Sequence, residues 1–216
     1  MTRLVVQLSD THVRRPGELA ERRVDTAAAL RRAVEAVQRL PLEPDAVIVS
    51  GDCVDSGAPS QYDHLRELLA PLADRLHLLP GNHDARDAMR DAFPELAELG
   101  PRGTPVQWTL DLPGLRLVAI DTSVDGVAHG ELDEARLAAL DATLAADRST
   151  PTIVAMHHPP FTTLIERMDD YGLRVGRAGF AAVLARHPQV DRVVSGHLHR
   201  SIVSVVAGRP ALTAPS

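Results

Sequence analysis

Five mostly apolar segments of this chain are each followed directly by aspartate, asparagine or histidine residues, and this arrangement restricts the fold more than any other feature. Each segment is typical of a buried β-strand, because it is short and bounded by turn-forming residues. Ligand sites of open α/β sheets form beyond the carboxyl ends of the strands. We therefore expect one site at a sheet edge, built from Asp10 and His12, Asp52, Asn82 and His83, His157, and His197 and His199.

Each of these clusters, taken alone, has an ordinary explanation. An Asp-x-His sequence after a strand is often part of a turn, and Gly-Asp and Gly-Asn pairs are common turn formers. Five such clusters at five strand ends favour a shared binding site instead. Glycines at positions 51, 81 and 196 agree with this, because glycine lets the backbone turn sharply and approach a ligand closely.

The types of ligand atom narrow the chemistry of the site. Nitrogen and oxygen ligands without thiolate suit Mn, Fe, Zn or Co rather than a structural zinc site or an iron–sulfur cluster. Two carboxylates supply too few oxygens for calcium. Seven side chains exceed what one open catalytic metal needs, and suit two metals that share a carboxylate. Cys53, the single cysteine, is expected to be a small buried residue rather than a nucleophile.

Helical periodicity alternates with the strand segments along the chain. The pattern predicts strands at 4–8, 46–49, 76–79, 152–156, 192–195 and 202–207, a hairpin of 106–112 with 115–120, helices at 24–40, 61–72, 85–92, 133–146 and 179–186, and a loop at 158–176. Alternating strands and helices indicate an α/β protein with buried, partly parallel sheets. A length of 216 residues suits one domain, which we expect to span residues 1–216.

Charge and hydropathy exclude two classes of partner. A net charge of -6 without a basic cluster argues against a protein that binds long nucleic acids. No segment approaches the ~20 apolar residues that span a bilayer, so no membrane partner is expected. The N-terminus has no pattern typical of a signal peptide, which predicts a cytoplasmic protein.

The polar clusters together resemble a known signature. Asp10-x-His12, Gly51-Asp52-x-Val54-Asp55, Gly81-Asn82-His83-Asp84, His157-His158-Pro159-Pro160 and Gly196-His197-x-His199 are similar, in order and content, to the motifs of calcineurin-like metallophosphoesterases. Within that family the chain looks most like the bacterial class III cyclic-nucleotide and glycerophosphodiester phosphodiesterases. The resemblance covers roughly residues 3 to 208. It implies a four-layer αββα sandwich with two central mixed sheets flanked by helices, apparently without the usual C-terminal extension.

The resemblance also implies a role for each polar residue. Asp10, His12 and His199 would bind one metal, Asn82, His157 and His197 the other, and Asp52 would bridge the two. His83 matches a histidine that reaches toward the phosphate without binding metal. Asp55, Asp84 and His158 are expected to orient the ligands or their loops. The cofactors would be two divalent ions, Mn²⁺ or Fe first and Zn²⁺ or Co²⁺ as alternatives.

The implied activity is hydrolysis of a small phosphodiester, either a 3′,5′-cyclic nucleotide or a glycerophosphodiester, by a hydroxide shared between the metals. The two metals, two carboxylates and hydroxide leave about one net positive charge, which matches the single negative charge of a phosphodiester. Two alternatives stay open: a phosphomonoesterase or protein phosphatase on the same centre, and a non-catalytic module with the same fold. A homodimer is also left open. The segment 161–177 either forms one wall of the substrate cleft or is a plain connecting loop.

Overall fold

The computed structural model describes residues 3–216, in which strands and helices alternate along most of the chain. The strands are Val5–Leu8 (β1), Ala46–Ser50 (β2), Leu76–Leu79 (β3), Trp108–Leu112 (β4), Leu115–Ala119 (β5), Gly130–Glu131 (β6), Thr152–Ala155 (β7), Leu173–Val175 (β8), Val190–Ser195 (β9), Ile202–Val206 (β10) and Arg209–Thr213 (β11). The α-helices are Thr26–Gln38 (α1), Pro59–Leu69 (α2), Arg86–Ala92 (α3), Glu134–Ala146 (α4), Glu166–Asp169 (α5) and Arg177–Arg186 (α6), with 3-10 turns at Ala70–Arg75 and Ala97–Leu99. No described helix is both long and apolar enough to cross a membrane.

The strands form two main sheets. The first has the order β1-β2-β3 and is wholly parallel. The second has the order β10-β11-β9-β7-β5-β4, with parallel pairing from β11 to β5 and an antiparallel strand at each edge. Strands β6 and β8 form a small separate pair. The predicted α/β class with two central sheets is confirmed, although only the larger sheet is mixed.

Two hydrophobic clusters hold four layers together. The first cluster joins helices α1, α2 and α3 to the smaller sheet and to the facing side of the larger one, and it includes Leu30, Tyr62, Val49 and Leu117. The second joins the opposite side of the larger sheet to α4 and α6 through residues such as Leu144 and Phe180. Burial of apolar surface on both sides of the larger sheet thus gives the αββα sandwich expected from the sequence.

Polar contacts tie the two sheets together near the ends of their strands. The Gln7 amide donates to the hydroxyl of Ser50, 2.8 Å away, and to the carbonyl of Ser195, 3.0 Å away. The Trp108 indole donates to the carbonyl of Leu78 at 2.8 Å. Because a buried polar group is costly unless it is paired, these bonds favour one relative position of the sheets. That position aligns the ends of β1, β2 and β9.

Most predicted helices begin and end within two residues of the observed ones. Asp25 and Asp133 explain two of the starts, because their side chains accept hydrogen bonds from the backbone N–H groups of Ala28 and Arg136. The second helix is the exception. It begins at Pro59 and ends at Leu69, and the chain continues as a 3-10 turn that contains Pro71.

Two sequence interpretations were wrong. The segment 158–176 is not a plain loop, since it contains the short helix α5 and the strand β8. The strand at 202–207 is followed by a further strand, β11, which the sequence prediction missed because of Pro210. Pro210 pairs only with Val205 of β10, beyond the residues that pair β11 with β9, so its missing N–H is tolerated.

Candidate metal centre

All seven predicted metal ligands lie in loops at the carboxyl ends of strands, and the fold brings them together. Asp10, Asp52, His157 and His197 each come two residues after the end of β1, β2, β7 and β9, and Asn82 follows β3. Since these strands are parallel neighbours within their sheets, their ends share one edge of the sandwich. The seven side chains form two groups on either side of Asp52.

The first group contains Asp10, His12 and His199, whose ligand atoms lie within 4.8 Å of one another. The Nε2 atoms of His12 and His199 are 3.2 Å apart, and His199 Nε2 is 3.5 Å from Asp10 Oδ1. The three ligand atoms, Asp10 Oδ1, His12 Nε2 and His199 Nε2, thus lie around one small space. Asp10 is 4% exposed, so its charge has few water molecules to solvate it.

The second group contains Asn82, His157 and His197. The Nε2 atom of His157 is 3.3 Å from both Asn82 Oδ1 and His197 Nδ1. Its other ring nitrogen, Nδ1, donates to the carbonyl of Ser50 at 2.9 Å. Because a carbonyl can only accept, this bond fixes the ring orientation and leaves Nε2 directed at the group.

Asp52 lies between the two groups, with one carboxylate oxygen facing each. Its Oδ1 is 3.4 Å from His157 Nε2, and its Oδ2 is 3.6 Å from His12 Nε2. Burial alone would raise the pKa of Asp52, but the neighbouring charges of His157 and His12 outweigh burial and lower it. Asp52 therefore remains a carboxylate, which is the form that binds a metal.

The protons in this centre indicate that the residues fit divalent cations. Burial would lower the pKa of His157, but Asp52 raises it to about 9. Burial and the charge of His157 lower the pKa of the adjacent His197 to about 3, and His197 Nε2 is buried without a partner. The inward-facing nitrogens and oxygens around Asp52 and His157 are thus the donor set that a divalent cation would take.

The backbone at these residues is strained. Nine described non-glycine residues have positive φ, and five of them are Asp10, His12, Asp52, His197 and His199, with φ between 41° and 71°. A left-handed backbone costs about 1–2 kcal/mol per residue, and such residues cluster at functional sites. Backbone hydrogen bonds hold the strained loops in place, including Asp10 to Gly51 at 3.0 Å and His12 to Asp52 at 2.9 Å.

Glycines around the centre are required by close packing. A Cβ atom at Gly81 would overlap the Asp52 carboxylate and lie 2.8 Å from His157 Nε2. A Cβ atom at Gly196 would overlap the Ser9 hydroxyl and lie 2.6 Å from Asp10 Oδ2. The side chains of the site therefore occupy the space that any other residue at these positions would need.

His83 lies beside the two groups rather than within either. Its Nδ1 donates to the carbonyl of Asp55 at 2.7 Å, and its backbone N–H donates to Asp52 Oδ1 at 2.9 Å. Its ring meets the ring of His12 edge-on, with centroids 4.7 Å apart. His83 is exposed and lines the cleft above the site, so its Nε2 is available to a bound molecule.

Asp84 connects the loops that carry Asp52 and Asn82. Its carboxylate accepts hydrogen bonds from the backbone N–H groups of Gly81, Cys53 and Val54 and from the Tyr62 hydroxyl, over 2.9–3.3 Å. Burial, followed by the nearby charge of Asp52, raises the pKa of Asp84 to about 6. Cys53 is buried as expected, and burial raises the pKa of its thiol.

His158 and Asp55 bond to the loops around the centre, and each also has a ligand atom within 4.8 Å of two histidines there: His157 and His197 for His158, His12 and His83 for Asp55. His158 shares a hydrogen bond of 2.8 Å with the Thr122 hydroxyl through Nδ1 and one of 3.2 Å with the Ala128 carbonyl through Nε2. These two bonds hold the His158 ring beside the rings of His157 and His197. The Asp55 carboxylate pairs with Arg14 at 3.0 Å, and its carbonyl is the group that orients His83.

Sequence reasoning missed a buried ion pair near the centre. Arg86 Nε donates to Asp121 Oδ2 at 2.6 Å, and Asp121 has no exposed surface. Arg86 also donates to the carbonyl of Ser123 at 2.6 Å. The pair joins the start of α3, which follows the loop that carries Asn82, to the loop after β5. A signal was present, because Asp121 follows a strand just as the predicted ligands do.

A cleft of about 760 Å³ opens above the two groups. The predicted ligands Asp10, His12, Asp52, Asn82, His197 and His199 line it together with His83. A second cavity, of about 680 Å³, lies next to Asn82 and is lined by Arg86 and Arg90. The guanidinium groups of both arginines are already engaged by carboxylates and carbonyls. The first cleft is therefore the one that exposes the polar centre.

This fold and site point to one class of protein: an αββα sandwich with clustered aspartate, asparagine and histidine side chains at the carboxyl edge of its two sheets. The chain belongs to the calcineurin-like phosphoesterase family, whose model matches residues 3–201. The chain is accordingly a metal-dependent phosphoesterase, and members of this family use a centre of two divalent metals.

Curated relatives resemble this chain over most of its length. A probable glycerophosphodiester phosphodiesterase of Arcobacter nitrofigilis is 33% identical over 91% of this chain and 72% of the relative. A probable cyclic nucleotide phosphodiesterase of Rhodococcus erythropolis is 34% identical over 98% of this chain and 70% of the relative. A 3′,5′-cyclic adenosine monophosphate phosphodiesterase of Escherichia coli is 30% identical, with 98% and 75% covered.

Solved structures resemble the fold at lower sequence identity. A dimetal phosphatase from Danio rerio superposes with a TM-score of 0.72 at 17% identity, covering 98% of this chain and 87% of the other. A phosphopantetheinyl hydrolase from Mycobacterium tuberculosis gives a TM-score of 0.59 at 16% identity, with 99% and 89% covered. At these identities the similarity concerns the fold alone.

Proposed function

We propose that this chain hydrolyses small phosphodiesters, either 3′,5′-cyclic nucleotides or glycerophosphodiesters, at a centre of two divalent metals. The observation that carries the proposal is the position of Asp52, whose two oxygens face two separate groups of ligand atoms. The names of the curated relatives, which are phosphodiesterases of both kinds, support the substrate class.

In this proposal each metal would be held by three side chains besides Asp52. Asp10, His12 and His199 would hold one, and Asn82, His157 and His197 would hold the other. The mixed nitrogen and oxygen donors suit Mn²⁺, Fe, Zn²⁺ or Co²⁺. We propose Mn²⁺ or Fe as the preferred metals and Zn²⁺ or Co²⁺ as alternatives. Asp84 and His158 keep the loops in position, because their polar atoms bond to those loops and not to the centre.

Two adjacent divalent ions supply an activated water and neutralise charge on the phosphate oxygens when they are bound. Asp10 and Asp52 set the net charge of the centre so that it complements a phosphodiester. Because the Nδ1–H of His83 is held by the Asp55 carbonyl, His83 acts on the substrate as an imidazolium, whose Nε2–H donates a hydrogen bond to the phosphoryl group or protonates the departing alkoxide. The carbonyl of Asp55 thus fixes which nitrogen of His83 faces the substrate.

The His83→Ala variant should keep its full metal content and lose about 10²-fold or more in kcat. The imidazole contacts substrate and is absent from both ligand groups, so its removal affects turnover and not metal binding. Metal analysis and steady-state kinetics on the same preparation check this. The His77→Ala variant removes an imidazole that pairs with Glu98, away from the centre, and serves as the control. An unchanged kcat in His83→Ala would show that His83 only packs beside Asn82.

The proposed activity is tested by one substrate panel on metal-analysed protein. Bis-p-nitrophenyl phosphate, cyclic AMP and glycerophosphocholine represent diesters, and p-nitrophenyl phosphate represents monoesters. We expect about two metals per chain and faster turnover of at least one diester than of the monoester. A preference for the monoester would favour a phosphomonoesterase on the same centre. Protein without bound metal and without activity on any of the four compounds would overturn the enzymatic proposal.

A further inference from the structure

The segment between His158 and β8 is a fixed part of the wall of the cleft. The Asp169 carboxylate accepts hydrogen bonds from the backbone N–H groups of Thr163 and Leu164 and from the Thr163 hydroxyl, over 2.6–2.9 Å. The backbone N–H of Leu173 donates to the carbonyl of Pro159 at 3.1 Å. These bonds close the segment on itself and hold it against the loop that begins with His157. Its side chains therefore have defined positions next to the centre.

Two side chains of this segment, Met168 and Tyr171, line the cleft that contains the predicted metal ligands. Tyr171 is 42% exposed, so part of its ring is accessible to a bound molecule. Val24, from the loop before α1, lines the same cleft and is 53% exposed. The cleft thus combines a polar floor with apolar surface from two separate loops.

This combination limits what can occupy the cleft. Ligand sites typically pair a few polar groups with apolar and aromatic side chains, and the polar groups here are those that face phosphate. A group attached to the phosphate therefore lies in the same cleft as Tyr171 and Met168 and can pack against them. A glycerol group offers hydroxyls and little apolar surface. A planar aromatic ring offers a face that packs against a tyrosine ring and against a methionine sulfur.

We infer that Tyr171 and Met168 bind a planar aromatic group of the substrate, so that the preferred phosphodiesters carry a nucleobase. The inference rests on the proposed phosphodiesterase function, and it favours nucleoside cyclic phosphates over glycerophosphodiesters whose second alcohol is small and polar. In this inference Tyr171 and Met168 determine the preference for a nucleobase, and the residues of the metal centre carry out the hydrolysis. Tyr171 acts by packing against the ring of the base.

The test compares two substrates that differ only in the base. Cyclic AMP is one, and the 3′,5′-cyclic phosphate of methyl ribofuranoside, which has a methoxy group in place of adenine, is the other. Wild-type protein should favour cyclic AMP in kcat/KM. In Tyr171→Ala this preference should fall about tenfold, as stacking of one base predicts. Tyr171→Phe keeps the ring and should retain the preference.

Leu164→Ala is the matched control, because Leu164 belongs to the same segment, is 91% exposed and does not line the cleft. Its preference for cyclic AMP should equal that of wild type. A preference that is the same in Tyr171→Ala as in wild type would overturn the inference. So would a wild-type protein that hydrolyses both substrates equally well.

A binding measurement separates this inference from the proposed function. Calorimetry should give a lower Kd for adenosine 5′-monophosphate than for ribose 5-phosphate in wild type. In Tyr171→Ala the ratio of these two Kd values should move about tenfold closer to one. If wild type turns over no phosphodiester, the proposed function fails, and the calorimetric comparison still decides the role of Tyr171. Equal Kd values for the two compounds in wild type would overturn that role.

Discussion

The Asp52→Asn variant is expected to bind fewer metals per chain than wild type and to lose about 10³-fold in kcat/KM for any phosphodiester that wild type hydrolyses. The carboxylate oxygens of Asp52 face His157 on one side and His12 on the other, so this side chain belongs to both groups. An amide has nearly the same shape but no charge, and only one of its two polar atoms can bind a cation. The substitution therefore weakens both metal positions at once.

Metal analysis by mass spectrometry, followed by kinetics at saturating metal, measures the two effects separately. Asp55→Asn is the matched control, because the Asp55 carboxylate pairs with Arg14 while its carbonyl continues to orient His83. The loss in Asp55→Asn should be far smaller. If Asp52→Asn held two metals and stayed within about tenfold of wild-type activity, the shared role of Asp52 would be wrong.

The Gly51→Ala variant is expected to lose the metal centre and about 2–4 kcal/mol in the free energy of unfolding. Gly51 has a φ of 97°, and a Cβ atom there would overlap the imidazole of His157 and lie 2.9 Å from the backbone nitrogen of Gly81. Both neighbours belong to the centre, and His157 is fully buried, so neither has space to move. Chemical denaturation of the metal-free protein measures the stability, and metal titration measures the centre.

Gly114→Ala separates steric overlap from backbone strain. Gly114 has a φ of 81°, which is unfavourable for alanine, as is the φ of Gly51. Unlike at Gly51, nothing lies within 4 Å of a Cβ atom at position 114. We expect this variant to lose about 1–2 kcal/mol and to bind metal normally. If Gly51→Ala were no less stable than Gly114→Ala and still bound metal, close packing at Gly51 would not be a requirement of the site.

The sequence was sufficient to predict which residues converge. The reason is that Asp10, Asp52 and His157 each lie two residues after a short apolar strand, and parallel strands bring such positions to a common edge. Short apolar runs indicate strands from the local sequence alone, so this prediction needed no knowledge of long-range contacts. The αββα layering came from the family resemblance and agrees with the two sheets of the structure.

The contacts that support the centre were not predictable in the same way. Arg86 and Asp121 lie 35 residues apart and meet only because the start of α3 and the loop after β5 are adjacent in the sandwich. Tyr62, on α2, reaches Asp84 for the same reason. Neither Arg86 nor Tyr62 stands out in the sequence, because a single arginine usually lies at the surface and a single tyrosine occurs both buried and exposed. Such partners depend on how the layers pack.

The left-handed backbone at five of the predicted ligands has a consequence for protein engineering. A designer who transfers the seven side chains to the strand ends of another α/β scaffold would copy their chemistry without their directions, because ordinary loops would hold those residues at negative φ. The transferable unit is the whole set of loops, including Gly51, Gly81 and Gly196 and the bonds between neighbouring loops. A recipient scaffold must therefore adopt the backbone conformation of these loops before the transferred side chains can bind metal.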